Sequence, residues 1–274
     1  MMNETRSILA ATDLGARSDR AVDRAILLAQ HWNLRPVIAH VVKDGCTEQE
    51  TTLFLETAKA GLPDPEGDVD IILPTGPVPE TIVATARGCD ARLIVAAPAR
   101  FNEPRDYFIG TAVDMIVRLS DRPVLVVKQR PHAPYRQIMI ATDLSDNSRF
   151  ALLETARLFP DAVLHLIHGY TASYQGWLNA DAVKAEMRAE AEEELETFLT
   201  HASITEALRQ RVQPHLGYGE IDTVIDHMLH MLKPDLVVAG THGKGGFVRA
   251  AMGSTAAELL NWVPIDMLMV RKPA

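Results

Sequence analysis

A glycine-rich segment near the end of the chain has the composition of an anion-binding loop. It begins Gly240-Thr241-His242-Gly243 and reaches Gly253-Ser254 in the pattern G-x₂-G-x₉-G-S. Glycine adopts positive φ and lets a backbone approach a phosphate closely. A Gly-Ser pair that opens a helix points free N–H groups, and the positive end of the helix dipole, at the same charge. The spacing therefore predicts two backbone turns that converge on one phosphate.

Two common phosphate-binding motifs are excluded. Lys244 is followed by Gly245 and not by Ser or Thr, so the segment is not a P-loop. Val248 stands where the dinucleotide-binding fingerprint requires a third glycine or an alanine. Lys244 and Arg249 are charged residues of the same segment that could neutralise phosphate oxygens. The alternative is that both side chains are solvated surface charges, which is the more common role of such residues.

The chain contains the same sequence pattern twice, which indicates an internal duplication. Ala11-Thr12-Asp13 of the first copy reappears as Ala141-Thr142-Asp143, and Gly110-Thr111 corresponds to Gly253-Ser254. A proline-rich segment, 131–134, separates the copies. Because such segments mark linkers, we expect one domain at 1–130 and another at 135–274.

Each copy alternates apolar strands with amphipathic helices. In the second copy the pattern predicts strands at 137–142, 163–168, 212–215, 236–239 and 267–270, and helices at 148–159, 181–202, 221–232 and from Ser254 onward. Ser148 is the expected N-cap of the first of these helices. Strict alternation predicts an α/β protein with two Rossmann-like domains, each a five-stranded parallel sheet with helices on both faces. Ligands of such sheets bind beyond the carboxyl ends of the strands.

The first copy has lost the glycines of the segment. Ala97-Pro98-Ala99-Arg100 stands at the position of Gly240–Gly243. Pro98 removes a backbone donor, and the long side chain of Arg100 would crowd a phosphate. Only Gly110-Thr111 remains, so we expect the two copies to differ in ligand binding.

Composition narrows the classes of partner. The formal net charge of −9 argues against non-specific nucleic-acid binding, which requires a basic patch. No apolar run approaches the roughly 20 residues that cross a bilayer, and the first residues lack the apolar stretch of a signal peptide. Cys46 and Cys89 have no metal-ligand spacing. We therefore expect a soluble protein of the reducing cytoplasm.

The histidines do not predict a metal site. His165 and His168 should point to opposite faces of a predicted strand. His227 and His230 could share one helix face, but no third ligand accompanies them. We interpret these histidines as surface residues.

These features together resemble the universal stress protein family, with two copies of its domain covering nearly the whole chain. The ATP-binding members of that family carry the pattern G-x₂-G-x₉-G-[ST] after the fourth strand. The Ala-Thr-Asp strand end, the turns at Gly76 and Gly219 and the apolar final strand fit the family as well. The resemblance implies the adenine nucleotide α-hydrolase-like fold.

The resemblance also implies an ATP site, with or without Mg²⁺, in the second domain. Glycines and Ser254 would cradle the ribose and phosphates, Asp143 would lie near the nucleotide, and His168 would lie beside the adenine. A loop- or helix-capping role for Asp143 is equally compatible, because Asp13 is retained in the copy that lost its glycines. The predicted contact residues are Ala141, Thr142, Asp143, His168, Gly240, Thr241, His242, Gly243, Lys244, Arg249, Gly253, Ser254 and Thr255.

By resemblance, the chain is expected to be a stress-response regulator that binds ATP in its second domain, while residues 1–130 bind none or bind it much more weakly. The alternatives are a slow ATPase, with His242 as a weak candidate base, and an interaction module without nucleotide. The family also implies an internal pseudo-dimer in which Val124–Val127 pairs with Met267–Val270. Association of two chains into a homodimer is left open, and the acidic helix predicted at 181–202 is interpreted as a solvated face.

Overall fold

The computed structural model describes residues 6–98, 112–171, 180–241 and 252–273, which form two compact units. The first unit extends to Pro134 and also includes Pro264–Met269. The second unit comprises Tyr135–Val263 and continues from Val270. The first unit therefore contains a short segment from the end of the chain.

The first unit is a parallel sheet with helical crossovers. Its strands follow the order β3-β2-β1-β4-β5 and pair in parallel, so the strand order reverses beside β1. Its strands are β1 (Ser7–Ala11), β2 (Arg35–Ala39), β3 (Asp70–Ile72), β4 (Ala91–Ala96) and β5 (Val124–Val126), and its helices are α1 (Asp19–Trp32), α2 (Glu48–Ala60), α3 (Val78–Gly88) and α4 (Ala112–Leu119).

The second unit repeats this arrangement. Its strands pair in parallel in the order β9-β6-β7-β8, with the reversal beside β6. They are β6 (Gln137–Ala141), β7 (Val163–Tyr170), β8 (Val212–Tyr218) and β9 (Leu236–Gly240), and the helices are α5 (Asp146–Leu158), α6 (Ala180–Leu199), α7 (Glu206–Arg211), α8 (Ile221–Leu232) and α9 (Ser254–Trp262). The predicted α/β class with mostly parallel sheets is confirmed.

Burial explains why these segments form these elements. The central strands are apolar on both faces, as in β9, where Leu236–Ala239 are all buried. Helix α1 buries one face through residues that the helical period predicted, namely Ala21, Ala25, Leu28 and Ala29. Among the described residues, no helix combines the length and apolarity that crossing a membrane requires.

Several predicted boundaries are wrong. Helix α5 begins one turn earlier than expected, because Ser145 is its N-cap and accepts a hydrogen bond from the backbone N–H of Ser148. Ser148 is therefore a buried residue of the first turn. Helix α6 ends at Leu199, and the short helix α7 was not predicted. Strands β7 and β8 continue past their predicted ends to Tyr170 and Tyr218, because their ladder extends through Gly169 and Gly217.

The final strand, β10 (Asp266–Val270), pairs antiparallel with β5. Met267, Leu268 and Met269 lie opposite Val126, Leu125 and Val124 in this pairing. The pairing that the resemblance implied between these two strands is present.

A buried carboxylate fixes the start of β10 within the first unit. Asp266 accepts hydrogen bonds at Oδ1 from the backbone N–H groups of Lys128, at 2.7 Å, and Gln129, at 2.9 Å. Its Oδ2 lies 3.5 Å from Nη2 of Arg24, and the two side chains are only 2% and 6% exposed. Nη1 of Arg24 donates to the carbonyl of Ala133. Burial lowers the pKa of Lys128 to about 8, although the Asp266 carboxylate acts in the opposite direction.

We predict that Asp266→Ala destabilises the protein strongly. Removing one partner of a buried ion pair leaves an uncompensated charge, which costs about 3–5 kcal/mol. The matched control is Asp70→Ala, which breaks the exposed pair with Arg35 and should cost no more than about 1 kcal/mol. Urea unfolding of the full chain measures both effects, and equal destabilisation would contradict the assignment.

Candidate functional site

The loop that follows β6 is held by hydroxyl groups. Thr142 is buried, and its Oγ1 donates to Oγ of Ser148 at 2.8 Å while accepting a hydrogen bond from the N–H of Leu144 at 3.0 Å. Oδ1 of Asp143 accepts from the N–H of Ser145 at 3.1 Å. Leu144 has a φ of 59°, in the left-handed region, so the turn is strained and is maintained by these contacts.

The first unit has the same loop after β1. Oγ1 of Thr12 lies 2.9 Å from Oγ of Ser18 and accepts from the N–H of Leu14, whose φ is 56°. Oδ1 of Asp13 accepts from the N–H of Gly15 and from the hydroxyl of Ser18. Because this copy lacks the glycine segment, the Thr-Asp-Leu turn has a structural role that does not depend on a ligand.

A histidine lies against this loop in each unit. Nδ1 of His168 is 3.0 Å from the carbonyl oxygen of Thr142, and Nδ1 of His40 is 3.0 Å from the carbonyl oxygen of Thr12. Since a carbonyl oxygen can only accept, Nδ1 is the donor in both contacts. His168 therefore lies at the carboxyl edge of the sheet, next to the turn that contains Asp143.

The two ends of the glycine-rich segment meet at the same edge. Gly240 is the last residue of β9, and the buried Thr241 donates its N–H to the carbonyl of Val270 at 2.9 Å. The carbonyl of Thr241 accepts from the N–H of Gly253 at 2.8 Å. Thr241 and Gly253 thus close the segment, while the predicted contacts His242, Gly243, Lys244 and Arg249 lie outside the described residues.

Helix α9 begins next to the contact between Thr241 and Gly253, and its N-cap is a glycine, which has no side chain to cap the helix. Its N-cap is Gly253, so Ser254 is the first helical residue and does not act as the cap. The N-cap residue Gly253 makes no side-chain cap hydrogen bond, and the side chains of Ser254 and Thr255 are exposed. The first N–H groups of a helix have no partner inside the helix. This helix start can therefore donate hydrogen bonds to an anion.

Strand pairing brings the helix start and the hydroxyl-held loop to one edge. Ala141 of β6 lies beside Ala239 of β9, so Thr142 and Gly240 are the next residues on neighbouring strands. The strand order reverses between these two strands, which is where open α/β sheets bind ligands. The described residues therefore place backbone donors on the β9 side of this edge and a carboxylate on the β6 side.

A buried histidine pair in the same unit was not recognised from the sequence. Nδ1 of His165 lies 3.1 Å from Nε2 of His215, and Nε2 of His165 lies 2.9 Å from Oε1 of Gln137. His165 is 5% exposed, so interpreting it as a surface residue was wrong. Burial lowers the pKa of both histidines, and the neighbouring His215 lowers that of His165 further. His165 stands between Leu164 and Leu166 in an otherwise apolar strand segment, a signal that could have indicated a polar contact on one sheet face.

No metal centre follows from these histidines. Within the described residues, no group of three or more His, Cys, Asp or Glu side chains could hold a metal ion. His227 and His230 are exposed on α8.

We predict that the histidine pair makes the protein less stable in acid. Since the folded state lowers both pKa values below the ordinary 6.5, unfolded chains bind protons more readily. The contribution of the pair to stability is therefore present above pH 6.5 and is lost as the pH falls below it. Thermal unfolding at pH 7.5 and pH 5 should show a smaller acid loss in His215→Gln than in the unmodified protein. His230→Gln, which removes an exposed histidine, is the control, and an identical reduction in both variants would refute this origin.

Comparison with known proteins supports the duplicated α/β architecture. A putative universal stress protein from Pseudomonas aeruginosa UCBPP-PA14 matches with a TM-score of 0.64 at 20% identity, covering 97% of this chain and 93% of that one. A universal stress protein from Archaeoglobus fulgidus DSM 4304 matches with a TM-score of 0.61 at 15% identity, covering 98% and 97%. Both structures share the fold over nearly their full length.

Sequence relatives match one domain at a time. Universal stress protein A from Escherichia coli (strain K12) is 30% identical over 142 residues, which are 50% of this chain and 94% of that protein. Universal stress protein G from Salmonella typhimurium is 29% identical over 116 residues, or 40% and 79% respectively.

The fold is that of a duplicated α/β protein, and a helix begins at the strand-order reversal of its second sheet. The sequence model of the Universal stress protein family matches residues 4–128 and again residues 134–271. The chain belongs to the universal stress protein family and contains two of its domains in tandem.

Proposed function

We propose that this chain is a cytoplasmic stress-response regulator that binds ATP in its second domain, with the first domain in a structural role. The observation that carries this proposal is the start of α9 at Gly253, whose backbone N–H bonds to the carbonyl of Thr241 at the strand-order reversal. Backbone N–H groups and the helix dipole at such a position favour a phosphate. Membership of a family with ATP-binding members supports the choice of an adenine nucleotide.

The surrounding residues suit a triphosphate and its metal ion. Ser254 and Thr255 are exposed at the helix start and can donate hydroxyl groups to phosphate oxygens. A Cβ placed on Gly253 would come 3.6 Å from the carbonyl oxygen of Thr241, an ordinary van der Waals contact, so this closure does not itself require glycine. Where Mg²⁺ accompanies the phosphates, Asp143 supplies the type of oxygen ligand that it prefers.

The first domain differs in the residues that follow its fourth strand. Its fourth strand ends at Ala96 and is followed by Ala97 and Pro98 in place of Gly240 and Thr241. Proline has no backbone N–H, and an alanine Cβ occupies space that glycine leaves empty. The Thr12–Ser18 turn is intact in this domain, which fits the structural role that we propose for the first domain. We therefore propose one ATP site per chain.

Thr255→Glu is predicted to weaken ATP binding about tenfold or more, because the new carboxylate repels the phosphates where the helix dipole attracts them. An acidic residue in the first turn stabilises a helix, so the fold should be retained. Isothermal titration calorimetry of the full chain measures the dissociation constant.

The matched control is Ala112→Glu, which places a carboxylate on the exposed first residue of α4 in the other domain. It should leave the ATP affinity unchanged. Two equivalent sites in the unmodified chain, or equal losses in the two variants, would overturn the assignment to the second domain.

Hydrolysis is measured separately from binding. Under this proposal the chain binds ATP without turning it over. Phosphate release above background that Asp143→Ala abolishes would instead indicate an ATPase, while the absence of any nucleotide binding would indicate an interaction module.

A further inference from the structure

The second unit has an aromatic pair where the first unit has none. Tyr170 and Tyr218 lie opposite each other at the carboxyl ends of β7 and β8. At the matching place in the first unit, Val42 pairs with Thr75 in an isolated bridge. The positions correspond, because Tyr170 and Val42 both come two residues after the loop-bound histidine, and Tyr218 and Thr75 both precede a glycine of positive φ.

The half-buried ring of Tyr170 and the exposed ring of Tyr218 form an aromatic wall at this edge. Their centroids are 5.6 Å apart, with an interplanar angle of 70°, and Tyr218 is 42% exposed. Nζ of Lys184 lies 4.7 Å from the centroid of the Tyr218 ring. Cations are attracted to the negative face of an aromatic ring. The face of the Tyr218 ring is therefore accessible to a flexible group such as the lysine side chain. The lysine stem has four rotatable carbons and can move away when another group stacks there.

The wall lies at the right distance from the phosphate end of the proposed site. Neighbouring strands are about 4.8 Å apart, so β7 is about 10 Å and β8 about 14 Å from β9 across the sheet. A nucleotide with its phosphates at the start of α9 can lie across the carboxyl edge and bring its base to β7 and β8. His168, on the same face of β7 as Tyr170, lies along this path.

We propose that Tyr170 and Tyr218 form a stacking surface for the base of the bound nucleotide. This inference rests on the proposed ATP site and adds the residues that hold its base. Stacking uses the π-face of a base and not its hydrogen-bonding edges, so the wall tolerates different purines. The first unit has no aromatic pair at this place. A role in holding the base therefore fits the second domain, for which the ATP site is proposed.

The test replaces the wall with the residues of the first unit. The double variant Tyr170→Val with Tyr218→Thr introduces β-branched residues that suit strand ends, and the first unit already uses them at this bridge. ATP should bind about 5- to 150-fold more weakly, the range expected when one base loses an aromatic partner. Inorganic tripolyphosphate, titrated in competition with ATP, should bind with unchanged affinity.

Tyr218→Phe is the matched control, since it keeps the ring and should bind ATP like the unmodified chain. Unfolding of each variant without ligand verifies the fold. Unchanged ATP affinity in the double variant, or equal weakening of ATP and tripolyphosphate, would overturn the stacking surface and leave the phosphate site standing. If the unmodified chain binds neither compound, both the surface and the proposed ATP site are overturned.

Discussion

The reversal of strand order beside β6 is the constraint on which the site depends. Because β6 pairs with β7 on one side and β9 on the other, the loops that leave β6 and β9 diverge to opposite faces. In open α/β sheets, such a reversal leaves a crevice outside the carboxyl ends of the strands. The turn at Thr142 and the closure between Thr241 and Gly253 form the two sides of this crevice. Helix α9 starts at this edge, and its first N–H groups have no partner inside the helix.

Comparison of the two copies distinguishes the residues that both folds require from the residues that suit a ligand. Both units keep the threonine–serine contact, the leucine with left-handed φ and the histidine on the threonine carbonyl. These features are therefore requirements of the strand end. The units differ in the backbone that follows the fourth strand and in the side chains that end the second and third strands. The proposed nucleotide would contact these places.

The first unit is completed by residues from the far end of the sequence. Strand β10 supplies main-chain partners for β5, and Asp266 receives two backbone N–H groups and the guanidinium of Arg24. A carboxylate this deeply buried is tolerated only with several donors. The packing of the first sheet therefore includes residues that follow the second copy in the sequence.

Much of this architecture was determined by the sequence itself. The repeated Ala-Thr-Asp strand end, the period of α1 and the Gly253-Ser254 pair predicted the duplicated α/β domains and the start of α9, because local periodicity and capping depend on neighbouring residues. Tertiary structure decided the rest. His165 is buried because α8 covers its face of the sheet, as the contact between the Cβ position of Gly217 and Val224 shows. Strands β7 and β8 extend to Tyr170 and Tyr218 because the backbone groups of each strand form hydrogen bonds with those of the other. Such pairings join residues far apart in the chain, and no local pattern encodes which of them will meet.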